Sequence, residues 1–342
     1  MSEIVLTPDS VPLGKSGIDV SPIAWGMWRF AGRSLKEGRK LVDAALAVGI
    51  TLFDTADIYG FNGQAGFGDA ETLLGQVFAE DRGLREGIVL ATKGGIMPPI
   101  PYDQSAAYLT QALDASLKRL GVERIDLYQV HRPDIMTHPQ ELARTLDAAI
   151  AAGKVRAVGV SNFTLPHANA LASFLDAPLV SHQPEFSPLH LDPLVDGLFD
   201  AAMEHGMTVL AWSPLGGGRI GNPQDERARA VAAALDAVAA KFGVSRAAAT
   251  YSWIMAHPVR AIPIVGSQRA DVVGGGLVQL GQGLHYPVGR HGLAEVVALG
   301  VRAAQLDQGR SLLGRLDALG DHSDAQPRAQ LDRAADDRLG RG

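Results

Sequence analysis

Apolar and polar positions fall into a repeating unit along the chain: a stretch of helical period, a glycine, then a short apolar run with a polar residue at its far end. "SLKEGRKLVDAALAVG" leads into "ITLFDTA", and "SAAYLTQALDASLKRLG" precedes "IDLYQVH". "QELARTLDAAIAAG" leads into "KVRAVGVSN", and "PLVDGLFDAAMEHG" into "MTVLAWSP". Gly49, Gly121, Gly153 and Gly206 sit where a helix C-terminus needs positive φ, and Ser34 and Ser105 suit helix N-caps. Eight apolar runs are counted, at 22–28, 51–56, 88–93, 127–131, 157–162, 180–185, 208–214 and 261–266. Runs of this kind alternating with helical stretches predict parallel β-α-β units. Eight of them predict closure into a (β/α)8 TIM barrel of the α/β class, with a doubly wound open sheet as the alternative. Ahead of the first unit, "VPLGKSG" and "IDVS" predict a short β-hairpin turning on Lys15, Ser16 and Gly17, placed to cover the barrel bottom.

Composition narrows the partners. The 342 residues carry a net charge of −6 with interspersed signs and contain no cysteine. No basic stripe for nucleic acid and no polybasic face for a membrane is visible, so a small or weakly charged molecule is the expected partner. Oligomeric state is not legible. Without cysteine there is neither a disulfide framework nor a thiolate ligand or nucleophile. The N-terminal stretch lacks a signal-peptide pattern and no run approaches a membrane span, so the expectation is a cytoplasmic protein. The barrel pattern accounts for residues 1–270. Residues 271–342, rich in Gly, Ala, Arg and Leu, form an atypical segment. It is expected to be either a polar C-terminal extension or the product of an altered reading frame in a GC-rich gene.

Barrels of this kind place their chemistry at the C-terminal ends of the strands. The ends of the second, third and fourth runs carry Asp54, Lys93 and His131, with Tyr59 in the loop after Asp54. Each alone reads as a turn cap, a solvated strand end or a hydrogen-bonded histidine. Together on successive strand ends they read as one site. A phenol titrating near pH 10 is a poor acid and base at neutrality. An adjacent Lys93 ammonium is expected to lower that value, with Asp54 holding the ammonium in place, while His131 orients a carbonyl oxygen. Asp57 is expected to be a hydrogen-bonding loop residue outside the chemistry. A rival metal-hydrolase reading needs clustered His and carboxylate ligands, and none with suitable spacing is present, so no metal is expected.

The segments "FDTADIYG", "LATKGG", "LYQVHRPD", "AVGVSNF" and "LAWSPLGGG", in this order, resemble the aldo-keto reductases, and "GMWRF" resembles the strand-one signature of a bacterial branch. The resemblance runs from about residue 12 to 269. It implies an oxidoreductase that moves a hydride between a nicotinamide cofactor, NADP in preference to NAD, and a carbonyl or alcohol, with Tyr59 as general acid or base beside Asp54, Lys93 and His131. It implies that Ser161, Asn162 and Gln183 hold the nicotinamide carboxamide, and that Trp212 stacks on the ring. Ser213, Leu215, Gly216 and Gly218 would lie along the cofactor, the glycine loop over its pyrophosphate. "GGGRIG" also satisfies a dinucleotide-binding pattern, but its place in a late loop before Asn222 and Pro223 fails that motif's context. Ser267 and Arg269 would hold the 2′-phosphate. The family's further basic and adenine-binding positions are here Val272 and Gly274 to Gly276, a departure. Trp28 and Phe61, with His131 and Trp212, are expected to wall the substrate pocket. The alternative function is a non-catalytic, regulatory nicotinamide-binding module.

Overall fold

The computed structural model describes residues 10–99 and 102–270. Residues 271–342, where the atypical segment was expected, lie outside the described residues, as do Val272 and Gly274 to Gly276.

The chain opens with the hairpin, β1 (Val11–Pro12) paired antiparallel to β2 (Asp19–Val20). Eight strands then close a parallel barrel: β3 (Ala24–Gly26), β4 (Leu52–Asp54), β5 (Val89–Gly94), β6 (Ile125–Val130), β7 (Val155–Ser161), β8 (Leu179–Gln183), β9 (Thr208–Ala211) and β10 (Ile262–Val265), with β10 pairing back onto β3. Each of the eight expected runs overlaps one of these strands, and the open-sheet alternative is excluded by the closure. Between strands lie α1 (Leu35–Ala47), α2 (Asp69–Glu80), α3 (Ala106–Leu120), α4 (Pro139–Ala151), α5 (Leu165–Ala172) and α6 (Leu198–His205). Two further helices, α7 (Glu226–Phe242) and α8 (Arg246–Met255), connect β9 to β10.

The helix ends follow the side-chain chemistry. Ser34 accepts from the Glu37 N–H while Glu37 returns to the Ser34 N–H, a reciprocal capping box, and Ser105 caps α3 through the Tyr108 N–H. Gly49, Gly121, Gly153 and Gly206 all adopt positive φ.

Leu13, Ile18 and Val20 of the hairpin are fully or almost fully buried and pack against Ala24, Leu52, Ala91, Leu127, Ala157, Leu210 and Ile262 from seven barrel strands. The hairpin therefore plugs the N-terminal mouth, as its sequence suggested, and among the described residues it is the opposite mouth that carries the polar strand ends. Gly14 makes the seal possible: its φ is 54° and a Cβ there would run into the Val180 carbonyl, while its N–H donates to Thr208 Oγ1 at 2.7 Å. Substituting Gly14→Ala combines a left-handed backbone with a steric overlap. The expected cost is about 2–3 kcal/mol in a denaturant-unfolding measurement, with the plug rather than the open mouth disturbed.

Candidate active site

At the open mouth, the ends of β4 and β5 set two charged groups against each other in full burial. Lys93 has no exposed surface and Asp54 almost none. Lys93 Nζ lies 2.7 Å from Asp54 Oδ2 and donates also to the Thr55 carbonyl at 2.9 Å and to the Tyr59 hydroxyl at 3.2 Å. Three acceptors thus meet the three ammonium protons. A lysine in that setting is tenable only because the partners are all present. Burial alone would depress its pKa, but Asp54, followed by Tyr59, outweighs it, and the ammonium is held charged, with its pKa above the ordinary lysine value.

The other carboxylate oxygen is just as firmly held. Asp54 Oδ1 accepts from Gln183 Nε2 at 3.0 Å and from Gln129 Nε2 at 3.3 Å, and Ser181 Oγ lies 3.5 Å from Gln129 Oε1. Gln129 was missed by sequence reading, although a signal existed. It stands two residues before His131, and strand alternation puts both on the same face.

Tyr59 is 8 % exposed and sits between two rings, Trp28 at 5.1 Å and His131 at 5.9 Å between centroids, both edge-on. The expectation that Lys93 sets a lowered phenol pKa is corrected by the structure. Burial pushes the Tyr59 hydroxyl up and is the larger influence; Lys93 pulls it down, but the net direction is upward. The phenol is therefore fully protonated at neutral pH. The His131 imidazole goes the other way: burial, then the charges of Lys93 and Arg132, hold its pKa well below the ordinary value, so it is neutral. A neutral imidazole keeps one N–H to donate, and a protonated phenol keeps its O–H, both at the same mouth.

Asp57 lies deeper than a loop hydrogen-bonder would: it is 1 % exposed, and beyond a weak interaction with the N–H of neighbouring Ile58 its carboxyl oxygens have no hydrogen-bond partner among the described residues.

A second cluster lies across the ends of β7, β8 and β9. Ser161 Oγ donates to the Gln183 carbonyl at 2.9 Å. Asn162, at a left-handed φ of 59°, donates through Nδ2 to the His131 carbonyl at 3.0 Å and to Ser161 Oγ at 2.9 Å. Its Oδ1 accepts from the Trp212 indole N–H at 3.0 Å. One amide side chain thus ties three strand ends together and fixes the Trp212 ring. Ser213 follows with φ 50°, and Leu215 packs on the barrel's outer core. Gly216 to Gly218 form a short 3-10 turn with positive φ throughout, not the start of an α-helix. At the end of β10, the buried Trp25 indole donates to the Ser267 carbonyl at 3.0 Å, and Gln268 Nε2 donates to the Gly26 carbonyl at 3.1 Å. Those two bonds hold the Ser267 to Arg269 segment against β3, with the Arg269 N–H on Ser267 Oγ at 3.3 Å. Trp28, 64 % exposed, and Phe61 line one cavity of about 420 Å³ between the loops after β3 and β4. Among the described residues no group of three or more potential ligands is placed to hold a metal ion, and no helix is long and apolar enough to cross a membrane.

The barrel that carries these residues is matched by comparison with known proteins. The model of the aldo/keto reductase family matches residues 22–274. The chain belongs to the aldo/keto reductase family, and is thus an enzyme of an oxidoreductase class built on this barrel. Among relatives, it is 60 % identical over 272 residues to 6-dehydroglucose reductase of Novosphingobium aromaticivorans, covering 79 % of this chain and 90 % of that one. It is 35 % identical over 266 residues to the Agrobacterium fabrum protein of the same name, covering 74 % and 86 %. A crystal structure of a thermostable aldo-keto reductase with the inhibitor epalrestat superposes with a TM-score of 0.71 at 24 % identity, covering 84 % of this chain and 99 % of that one; it supports the fold.

Burial gives the histidines a measurable signature. His131 and His182 both have depressed pKa values, His182 to about 4, chiefly through burial. The unfolded chain takes up these protons near pH 6.5 and the folded chain refuses them. The stability they confer is therefore complete above about pH 6.5 and is lost as pH falls towards 4. In spectra of histidine-labelled protein, both imidazoles are expected to keep neutral chemical shifts from about pH 8 down to about pH 6, while an exposed histidine titrates in that interval.

Proposed function

We propose that the protein reduces an aldehyde carried on a sugar, of the 6-dehydroglucose class, to the primary alcohol, drawing the hydride from NADPH. The substrate class is supported by the 60 % identity to a 6-dehydroglucose reductase across nine-tenths of that protein's length. The reaction type is carried by one observation: a phenol and an imidazole stand together beside a buried ammonium.

Tyr59 is the general acid. Negative charge that develops on the carbonyl oxygen during reduction would be met by the Tyr59 O–H, which passes its proton there. Lys93, 3.2 Å away and permanently charged, stabilises the phenolate left behind. Asp54, itself held by Gln129 and Gln183, keeps Lys93 in place. His131 donates a hydrogen bond to the same carbonyl oxygen and orients it toward Tyr59. The reverse, alcohol oxidation, uses the same groups with Tyr59 as base.

The donor set fits a nicotinamide dinucleotide. Ser161, Asn162 and Gln183 cluster polar side chains at adjacent strand ends beside Trp212, suited to an amide and a flat ring. The glycine turn at Gly216 to Gly218, adjoining Ser213 and Leu215, permits close backbone approach to phosphates. A hydroxyl and a guanidinium, Ser267 and Arg269, suit a phosphate monoester, which favours NADPH. The cofactor supplies the hydride when bound. Trp28 and Phe61 supply an apolar wall at the mouth; a flat indole face suits the C–H face of a sugar ring.

Substituting Tyr59→Phe is expected to lower kcat/KM for 6-dehydroglucose by about 10²–10⁴-fold, with NADPH affinity, read by quenching of tryptophan fluorescence, changed little. An unaltered rate in that variant removes Tyr59 from the chemistry. NADPH binding in wild type without steady-state turnover of any sugar aldehyde would instead favour a regulatory module.

A further inference from the structure

The residues between β4 and α2 wrap around Lys93 at every second position. The Thr55 carbonyl accepts from its ammonium, the Asp57 N–H donates to its main-chain carbonyl at 3.0 Å, and the Tyr59 hydroxyl meets the ammonium again. Asp57 is thus the middle stitch of the loop that carries Tyr59. Its buried side chain borders a polar compartment shared with Gly94 of β5, Glu71 of α2 and Arg119 of α3.

Among the described residues, the charged groups facing that compartment each have an ion-pair partner except Asp57. Glu71 of α2, fully buried, accepts from Thr92 Oγ1 at 2.5 Å and from Arg119 of α3 at 2.7 Å. Lys93 of β5 is engaged by Asp54. Tyr108 of α3 donates to the Ile96 carbonyl at 3.1 Å. The Tyr128 hydroxyl of β6, like both Asp57 oxygens, is buried with no hydrogen-bond partner. Both cations are therefore engaged by other carboxylates; they and the Ile58 N–H favour an Asp57 anion less than burial and Glu71 oppose it, because a buried charge without an ion pair is strongly disfavoured.

Gly94 marks where the two orphans meet. A Cβ on Gly94 would overlap the Tyr128 hydroxyl and lie 3.4 Å from Asp57 Oδ2. Glycine at this position leaves open the space that both groups border. One hydrogen bond, direct after a small side-chain rotation or through one water, spans it.

We propose that Asp57 functions as a neutral carboxylic acid, a positioning residue whose O–H pairs with the Tyr128 hydroxyl over Gly94 and seats the Tyr59 loop against Lys93. The neutral form removes the unpaired charge and supplies the donor that the orphaned hydroxyl needs. It also spares the site: the charge of an Asp57 anion is one of the influences that raise the Tyr59 phenol, and the neutral form removes it. Burial, with Glu71 adding to it, pushes the Asp57 carboxyl in the same direction. The positioning role rests on the assignment of Tyr59 above; the protonation state does not.

The test reads the two separately. Infrared spectra of the wild-type protein at about pH 8, where ordinary carboxyls are ionised, are expected to carry a protonated-carboxyl stretch. It should shift in heavy water, vanish in Asp57→Asn and move in frequency in Tyr128→Phe. No such band, or a band indifferent to both substitutions, overturns the proposal whatever the activity; Tyr128→Phe keeps the assignment decidable if Asp57→Asn does not fold. The unfolded chain releases this proton near pH 4 and the folded chain retains it, so wild type loses stability relative to Asp57→Asn as pH rises above about 4. In turnover, Asp57→Asn should keep at least about a third of the wild-type kcat, and Asp57→Ala should lose about tenfold with KM little changed. An asparagine variant as impaired as the alanine variant contradicts seating by a neutral group, and leaves the infrared result to stand or fall alone.

Discussion

An ammonium group with no solvent contact has to be surrounded before a barrel can close over it. Lys93 carries that constraint here, and the upper half of the barrel is arranged around it. Its three protons are met by a carboxylate, a main-chain carbonyl and a phenol. The carboxylate needs its own donors in turn, which are amides from β6 and β8. Five elements are thereby bound to one charge. Removing any partner would leave a buried polar group unsatisfied, at a cost of several kcal/mol. That penalty gives the mouth its rigidity. Apolar packing at the opposite mouth, where the hairpin fills the barrel end, leaves the polar end as the place where a ligand can enter.

The same charge governs the chemistry by opposing burial. Sequestering Tyr59 favours the neutral phenol, and Lys93 favours the phenolate; burial prevails in the resting protein. The balance suits a proton donor. The phenol is protonated at neutral pH, and in the proposed reaction the ammonium beside it would be most effective as the proton departs. His131 is subject to the same two influences, burial and the Lys93 charge, and both keep it neutral. Burial thus keeps both neighbouring groups uncharged, against the Lys93 charge at Tyr59 and together with it at His131.

Much of this was legible in the chain, for physical reasons. Strands buried on both faces must be apolar runs, and helix termini need glycine or serine at set places, so all eight strands and the ends of α1 and α3 could be read directly. The meeting of Asp54, Lys93, His131 and Tyr59 followed from strand ends sharing one mouth. Helices α2, α5, α7 and α8 carried less signal: α2 starts at a glycine without a side-chain cap, and α5 is only 8 residues long. Gln129 was hidden because an amide inside a strand run looks like an interruption of the pattern. The isolation of Asp57 was illegible, since it depends on Glu71 and Asp54 having already claimed the nearby cations. The direction of the Tyr59 shift was misread because sequence shows which charge stands beside a phenol but not how completely the phenol is withdrawn from water.

The central claim, that burial and Lys93 act on Tyr59 in opposite senses with burial the stronger, is tested most directly by titrating that phenol. Ultraviolet difference spectra of the wild-type protein, with Tyr59→Phe as the blank, report its ionisation alone. The account predicts a midpoint above the ordinary value of about 10, moving higher still in Lys93→Met. A Tyr59 that ionises below 10 in the ligand-free protein, or whose midpoint does not respond to loss of Lys93, would contradict it.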